Sequence, residues 1–236
     1  MPQFKRIMLK LSGEVLLGDK QMGIDFEVLN NLSKQIAEVV KTGVQVAIVL
    51  GAGNIWRYRD NTGTGLDRVT SDNLGMLATI MNGVAMQHAL EVNGIDTRVC
   101  SAISMPQLVQ DYVVRQARIH LDRGKVVILV GGIGNPYFTT DSAAALRALE
   151  LNCNVLLKAT KVDGVYDKDP MEFADAQRFE KMTYTDVLSK DLKFMDATSV
   201  ALCRDGNLPI LLFDLNKEGN IMKAATGQKI GTMITL

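Results

Sequence analysis

Residues 125–134 read Lys125-Val126-Val127-Ile128-Leu129-Val130-Gly131-Gly132-Ile133-Gly134, and this stretch decides the fold class. Lys125–Val130 carries an unbroken, mostly β-branched apolar run, the pattern of a strand covered on both faces. Glycines follow at once, and then Thr139–Glu150, rich in Ala and Leu, reads as a helix. Strand, glycine loop and helix form the repeating unit of a parallel α/β sheet, in which ligands bind beyond the carboxyl ends of the strands.

Working outward, strand-like runs at Phe4–Leu11, Val44–Leu50, Ile95–Cys100, Cys153–Leu157, Pro209–Phe213 and Thr232–Leu236 alternate with helical patterns. Asp25 caps a helix whose apolar stripe is Val28, Leu29, Leu32, Ile36, Val39 and Val40, with Gly43 as its stop. A second helix runs from about Asp67 to Asn93, with Leu74, Leu77, Met81, Val84 and Met86 on its face. The predicted fold class is α/β, a three-layer α/β/α sandwich around a mostly parallel sheet. Residues 163–191 are charge-dense with turn signals, and a helix and a strand resume at Ala197–Leu202 and Pro209–Phe213. No clean linker interrupts the chain, so residues 1–236 are read as a single domain.

Composition narrows the function. The 26 Lys+Arg cancel the 26 Asp+Glu, which argues against a protein that wraps nucleic acid. Cys100, Cys153 and Cys203 are odd in number and lie in or beside apolar runs, so buried free thiols fit better than disulfides or zinc. Only His88 and His120 are present, which excludes a His-rich metal site. The chain leads directly into a strand, and no apolar stretch approaches the ~18 residues of a membrane span. A cytoplasmic protein with no membrane partner is expected.

Three strand ends carry glycine-rich loops: Lys10-Leu11-Ser12-Gly13-Glu14, Gly51-Ala52-Gly53-Asn54 with Arg57, and Gly131–Pro136 followed by Tyr137-Phe138-Thr139-Thr140-Asp141. Glycine lets backbone approach a polyphosphate, and successive N–H groups cradle anions. Lys10 adds a point charge, and Arg57 can grip a phosphate through two parallel hydrogen bonds. Each loop alone is better read as a tight turn; three at equivalent strand ends point to phosphate. The Walker pattern is absent, and Trp56 stands where a dinucleotide fingerprint needs its third glycine.

Together these segments resemble the amino acid kinase family and, within it, the bacterial UMP kinases. The resemblance spans nearly the whole chain. It is carried by the three loops, Asp67-Arg68 with Asp72, Gly75-Met76-Leu77-Ala78-Thr79, Gly134–Asp141 and Val162-Asp163-Gly164-Val165-Tyr166. The Asn135–Asp141 and Gly75–Thr79 segments are its most specific parts.

The resemblance implies transfer of the γ-phosphoryl group of ATP to UMP in pyrimidine nucleotide biosynthesis. Residues 1–155 would hold UMP and residues 156–236 ATP. Lys10, Leu11, Ser12, Gly13, Gly53 and Arg57 would hold the ATP phosphates, with Thr160, Tyr166 and Asp169 lining the base and ribose pocket. Ala52, Asp72 and the segment Ile133, Gly134, Asn135, Pro136, Tyr137, Phe138, Thr139 and Thr140 would take UMP, Asp72 through the ribose hydroxyls. Lys10, Arg57, Asp141 and Asp196 are the expected catalytic set, the two aspartates orienting Lys10 or the waters of Mg2+ carried on ATP. Each aspartate reads equally as a helix cap. No protein metal site is expected.

The family is typically hexameric, activated by GTP and inhibited by UTP, so a homohexamer with these effectors is implied. The helix bearing Met76, Met81 and Met86 reads equally as a subunit contact or a core face. The Gly18–Gly23 segment matches the region tied to GTP, and Arg98 could meet an effector phosphate. Gln87 and Glu91 stand where some relatives carry basic residues. The chain also departs from the family at Ala52, where glycine is common, at Ile133, where Thr is frequent, and at Tyr58-Arg59, which often begins with Gly. Another small-molecule kinase of the same fold, or a non-catalytic nucleotide-binding subunit, remains the alternative reading. Asp72 with Asn135–Thr140 argues against the first, and Lys10, Arg57 and Asp141 against the second.

Overall fold

Side chains alternate along a strand, so a buried strand feeds two separate cores. The computed structural model describes residues 2–58, 63, 65–168, 170, 172–173, 175–190, 192 and 194–236. On β1 (Arg6–Leu11), Ile7, Leu9 and Leu11 enter one core and Met8 the other. The same sorting holds on β2 (Gln45–Leu50), where Val46, Ile48 and Leu50 oppose Ala47 and Val49.

The first core is closed by α1 (Phe26–Lys41), α2 (Arg68–Val92) and α7 (Asn220–Ala225). The second is closed by α3 (Val114–Asp122), α4 (Thr140–Glu150), α5 (Tyr184–Ser189) and α6 (Ala197–Asp205). Between them lie β3 (Thr97–Ser101), β4 (Gln110–Asp111), β5 (Val126–Val130), β6 (Val155–Thr160), β9 (Lys181–Thr183), β10 (Ile210–Asp214) and β11 (Thr232–Thr235) beside β1 and β2. The nine-stranded order is β4-β3-β5-β2-β1-β6-β10-β11-β9. All neighbours pair parallel except β10 with β11. A separate two-stranded hairpin joins β7 (Val165–Tyr166) to β8 (Arg178–Phe179). The predicted three-layer, mostly parallel architecture is therefore the observed one.

Local chemistry accounts for the element ends. The Asp25 side chain accepts from the Glu27 and Val28 amides at 2.9 and 3.2 Å, and Gly43 leaves α1 with φ of 88°. Two features differ from the sequence reading. The stripe Leu74, Leu77, Met81 and Val84 of α2 faces outward, while Met76, Ile80, Met86, Ala89 and Leu90 face the core. A helix apolar on both sides gives periodicity no means of choosing between them. Helix α3 escaped notice because only Ala117, His120 and Leu121 are buried in a polar segment.

The three thiols are unpaired, and burial pushes them up to about 11 for Cys100 and about 12 for Cys153 and Cys203. Among the described residues no helix is long and apolar enough to cross a membrane.

Gly83 fixes how closely α2 approaches the sheet, since a Cβ there would lie 2.4 Å from Val130 Cγ1. Gly83→Val is expected to cost about 2–3 kcal/mol through overpacking. That corresponds to a fall of roughly 4–12 °C in the thermal unfolding midpoint of a chain this long. An unchanged midpoint would show that α2 can shift outward freely.

Candidate active site

Strand order makes the site. The chain runs from β1 to β2 and β5 on one side and returns to β6 and β10 on the other. Loops leaving β1 on opposite sides open a crevice at its carboxyl end. There the loops after β2 and β5, with the first turns of α2 and α4, enclose a cleft of about 270 Å³.

Lys10 on β1 and Lys158 on β6 are register partners, and alternation turns both towards the α4 side. They are 8% and 9% exposed, so two ammonium groups lie buried side by side. Asp141, in the first turn of α4, joins them: its Oδ1 is 2.8 Å from Lys10 Nζ and its Oδ2 is 2.5 Å from Lys158 Nζ. Lys158 also donates to the Phe194 carbonyl. The Thr139 cap and the positive helix end favour a carboxylate at this point. Burial would raise the Asp141 carboxyl, but the two lysines outweigh it and hold it below its usual range. Burial also pulls Lys158 below the ordinary lysine value, with Asp141 opposing.

Lys158 was absent from the predicted site. Its signal was available in Val155-Leu156-Leu157-Lys158-Ala159, because a lysine inside an apolar strand needs a buried partner. Asp196 takes the capping role. It caps α6, accepting from the Ser199 amide at 2.9 Å, and also accepts from Thr139 Oγ1 at 2.5 Å and Ser142 Oγ at 2.8 Å. It thereby ties the starts of α4 and α6 together.

The first two glycine loops serve each other. A Cβ on Gly13 would stand 2.6 Å from the Gly53 nitrogen and 2.7 Å from the Gly51 oxygen, so the loops pack backbone to backbone. Buried Asn54 and Asn82 exchange hydrogen bonds of 2.9 and 2.7 Å, and Asn82 Nδ2 also donates to the Gly51 carbonyl. Leu11 buries its side chain in the core, and Ser12 caps the 3-10 turn Gly13–Leu17 by accepting from Glu14. Arg57 bridges the loops, with Nε donating to the Gly53 carbonyl at 2.5 Å and Nη2 3.1 Å from Glu14 Oε1. Ala52 lines the cleft without entering the left-handed region, so its methyl group is tolerated.

Of the residues expected to take UMP, Ala52, Asp72, Asn135, Phe138, Thr139 and Thr140 line the cleft. Ile133, Gly134, Pro136 and Tyr137 do not. Tyr137 is exposed at φ of 72°, and its amide donates to Asp72 Oδ2 at 2.8 Å. Trp56, Tyr58, Arg68, Met76 and Thr79 line the cleft as well and were not anticipated. Thr160, the last residue of β6, and Tyr166 in β7 do not line this cleft. Thr160 Oγ1 donates to the Val162 carbonyl and Tyr166 to Asp163 Oδ1, each at 2.5 Å. Asp169 and Arg59 lie outside the described residues. Nor do the described residues hold any cluster of three or more His, Cys, Asp or Glu able to bind a metal ion.

Asp141→Asn would leave two buried cations without their anion, a loss of about 3–5 kcal/mol by analogy with other broken buried pairs. Because its folded value is depressed, the Asp141 carboxylate contributes stability fully above the ordinary 3.8 and loses it as pH falls through the lower value. Unfolding free energy against pH is expected to slope less for Asp141→Asn than for the wild type on the acid side. Identical slopes would mean that Asp141 does not ionise as described.

An arrangement of this kind can hold and transfer a phosphoryl group, and comparison with known proteins agrees. Residues 5–214 match the model of the amino acid kinase family. UMP kinase from Bacillus anthracis is 34% identical, with 100% of this chain and 97% of that one covered and a TM-score of 0.96. UMP kinase from Ureaplasma parvum is 39% identical over 98% and 99% of the two chains, with a TM-score of 0.93. Uridylate kinase from Archaeoglobus fulgidus, 24% identical over both full chains with a TM-score of 0.73, shares the fold. With its glycine loops, its buried lysine pair and this match over most of its length, the chain belongs to the amino acid kinase family.

Proposed function

We propose that this protein transfers the γ-phosphoryl group of ATP to UMP, giving UDP and ADP, as a step of pyrimidine nucleotide biosynthesis in the cytoplasm. The observation that carries the reading is the cleft between Asp72 and Asn135–Thr140, which opens beside Lys10, Asp141 and Lys158 in a chain 34% and 39% identical to two UMP kinases. Residues 1–155 take the acceptor and residues 156–236 the donor.

Phosphoryl transfer needs positioning and charge stabilisation more than covalent help. Lys10 and Lys158 present positive charge where the two phosphates meet, and Asp141 keeps both aimed. The glycine loops offer amides, and Arg57 holds a phosphate once it turns from Glu14. The UMP phosphate is already an anion, so no general base is required. Mg2+ fits as a passenger on ATP: the Asp141 oxygens are taken by lysines and those of Asp196 by hydroxyls and an amide. When bound, it neutralises charge on the phosphate oxygens.

The exposed Leu74, Leu77, Met81 and Val84 stripe supports a subunit contact in a homohexamer, whereas Met76 and Met86 belong to the interior. Effector action by GTP and UTP finds support in the surface hollow beside Gln87 and Arg98.

A coupled assay with UMP, CMP, dCMP and AMP is expected to show preference for UMP; indifference to UMP would sink the reading. Lys10→Ala should stay folded and lose at least ~100-fold in turnover, the scale of one preorganised donor. In the same assay, raising the pH should make turnover decline before the ordinary lysine value of 10.5 is reached, because burial makes Lys158 lose its proton early. A profile flat beyond that value would remove the Lys158 charge from the mechanism.

A further inference from the structure

At the mouth of the cleft, Arg68 joins the start of α2 to the loops after β2 and β5. Its Nε lies 2.8 Å from both Asp72 Oδ1 and Asp72 Oδ2, on the next turn of α2. The guanidinium carbon stands 4.7 Å from the Tyr58 ring centroid and 5.8 Å from that of Tyr137. Tyr58 belongs to the loop after β2 and Tyr137 to the loop after β5. The Tyr137 amide closes the circuit on Asp72 Oδ2 at 2.8 Å. Asp72 thus sits between a side-chain donor from its own helix and a main-chain donor from the opposite wall.

A carboxylate accepts about four hydrogen bonds, so these two donors leave room for hydroxyl groups from the cleft. They also decide where the free lone pairs point. A carboxylate on a helix surface would otherwise turn about its last torsion, which is broad and nearly two-fold. Stacking Arg68 against Tyr58 and Tyr137 immobilises the donor that stops this rotation.

Resting on the assignment of UMP to this cleft, we propose that Arg68, braced by Tyr58 and Tyr137, is a positioning residue that aims the Asp72 carboxylate at the ribose hydroxyls and so sets the preference for ribonucleotide over 2′-deoxyribonucleotide acceptors. Tyr58 supplies the nearer of the two aromatic rings against which the guanidinium rests. Asp72 reads the sugar, and Arg68 acts only through it.

The test is kcat/KM for UMP and for 2′-deoxy-UMP in the wild type, Arg68→Gln and Asp72→Asn, with thermal unfolding as a check on folding. The wild type is expected to prefer UMP by roughly tenfold or more, the scale of a hydrogen bond to a charged group. Arg68→Gln should shrink that ratio to about threefold or less, as should Asp72→Asn, and combining them should shrink it no further, because coupled residues are not additive. Should Arg68→Gln unfold, Arg68→Lys keeps the charge without the Nε donor and is expected to lose the preference likewise. Equal losses on both substrates with the wild-type ratio intact would overturn the proposal and leave Arg68 a structural brace. A wild type that does not distinguish the two sugars would also overturn it, whereas a wild type inactive on UMP would reject the functional assignment itself.

Discussion

The structure turns on one buried ionic contact. Two lysines on adjacent central strands cannot share a dry interior without an anion between them, and Asp141 is that anion. Desolvating each charge costs several kcal/mol, and only close pairing with good geometry offsets it. The position of α4 follows, because its first turn must bring Asp141 over β1 and β6. Asp196 follows in its turn, since it fastens the start of α4 to the start of α6. A charge arrangement that is poor for stability is well suited to receiving phosphates, which bring the further negative charge that two lysines and one aspartate lack.

Around this centre the glycines have two different uses. Gly13 and Gly51 allow the first two loops to touch along their backbones, and Gly131 takes φ of 73° to turn the third loop beneath α2. The result is a closely packed rim with the cleft on one side of Lys10. Trp56 belongs to the same rim, donating from Nε1 to Ser71 Oγ at 2.9 Å. The residue that argued against a dinucleotide fold therefore buttresses the wall of the cleft.

Much of this was legible in the chain. Continuous apolar runs such as Val126–Val130 announced buried parallel strands, and Asp25 and Gly43 marked the ends of α1 by simple capping chemistry. Lys10 and Asp141 stood out near glycine loops, whereas Asp72 came from the family resemblance. What stayed hidden depends on pairing between distant segments. Which side of α2 is buried could not be read from a helix with apolar residues all round. The partnership of Lys10 with Lys158 required strand register, which periodicity within one segment does not contain. The short strands and helices after residue 160 pack through a few residues each, such as Tyr184 and Val187, too few to leave a repeating pattern.

The proposed function puts UMP in the cleft between α2 and the loop after β5, with its phosphate directed towards the lysine pair. A crystal structure of the protein with UMP tests this most directly. Uracil is expected against Asn135–Thr140, the ribose hydroxyls on Asp72 and the phosphate on the Lys10 side of the cleft. UMP found past the end of β6 beside Thr160 and Tyr166, with the Asp72 cleft empty, would contradict it.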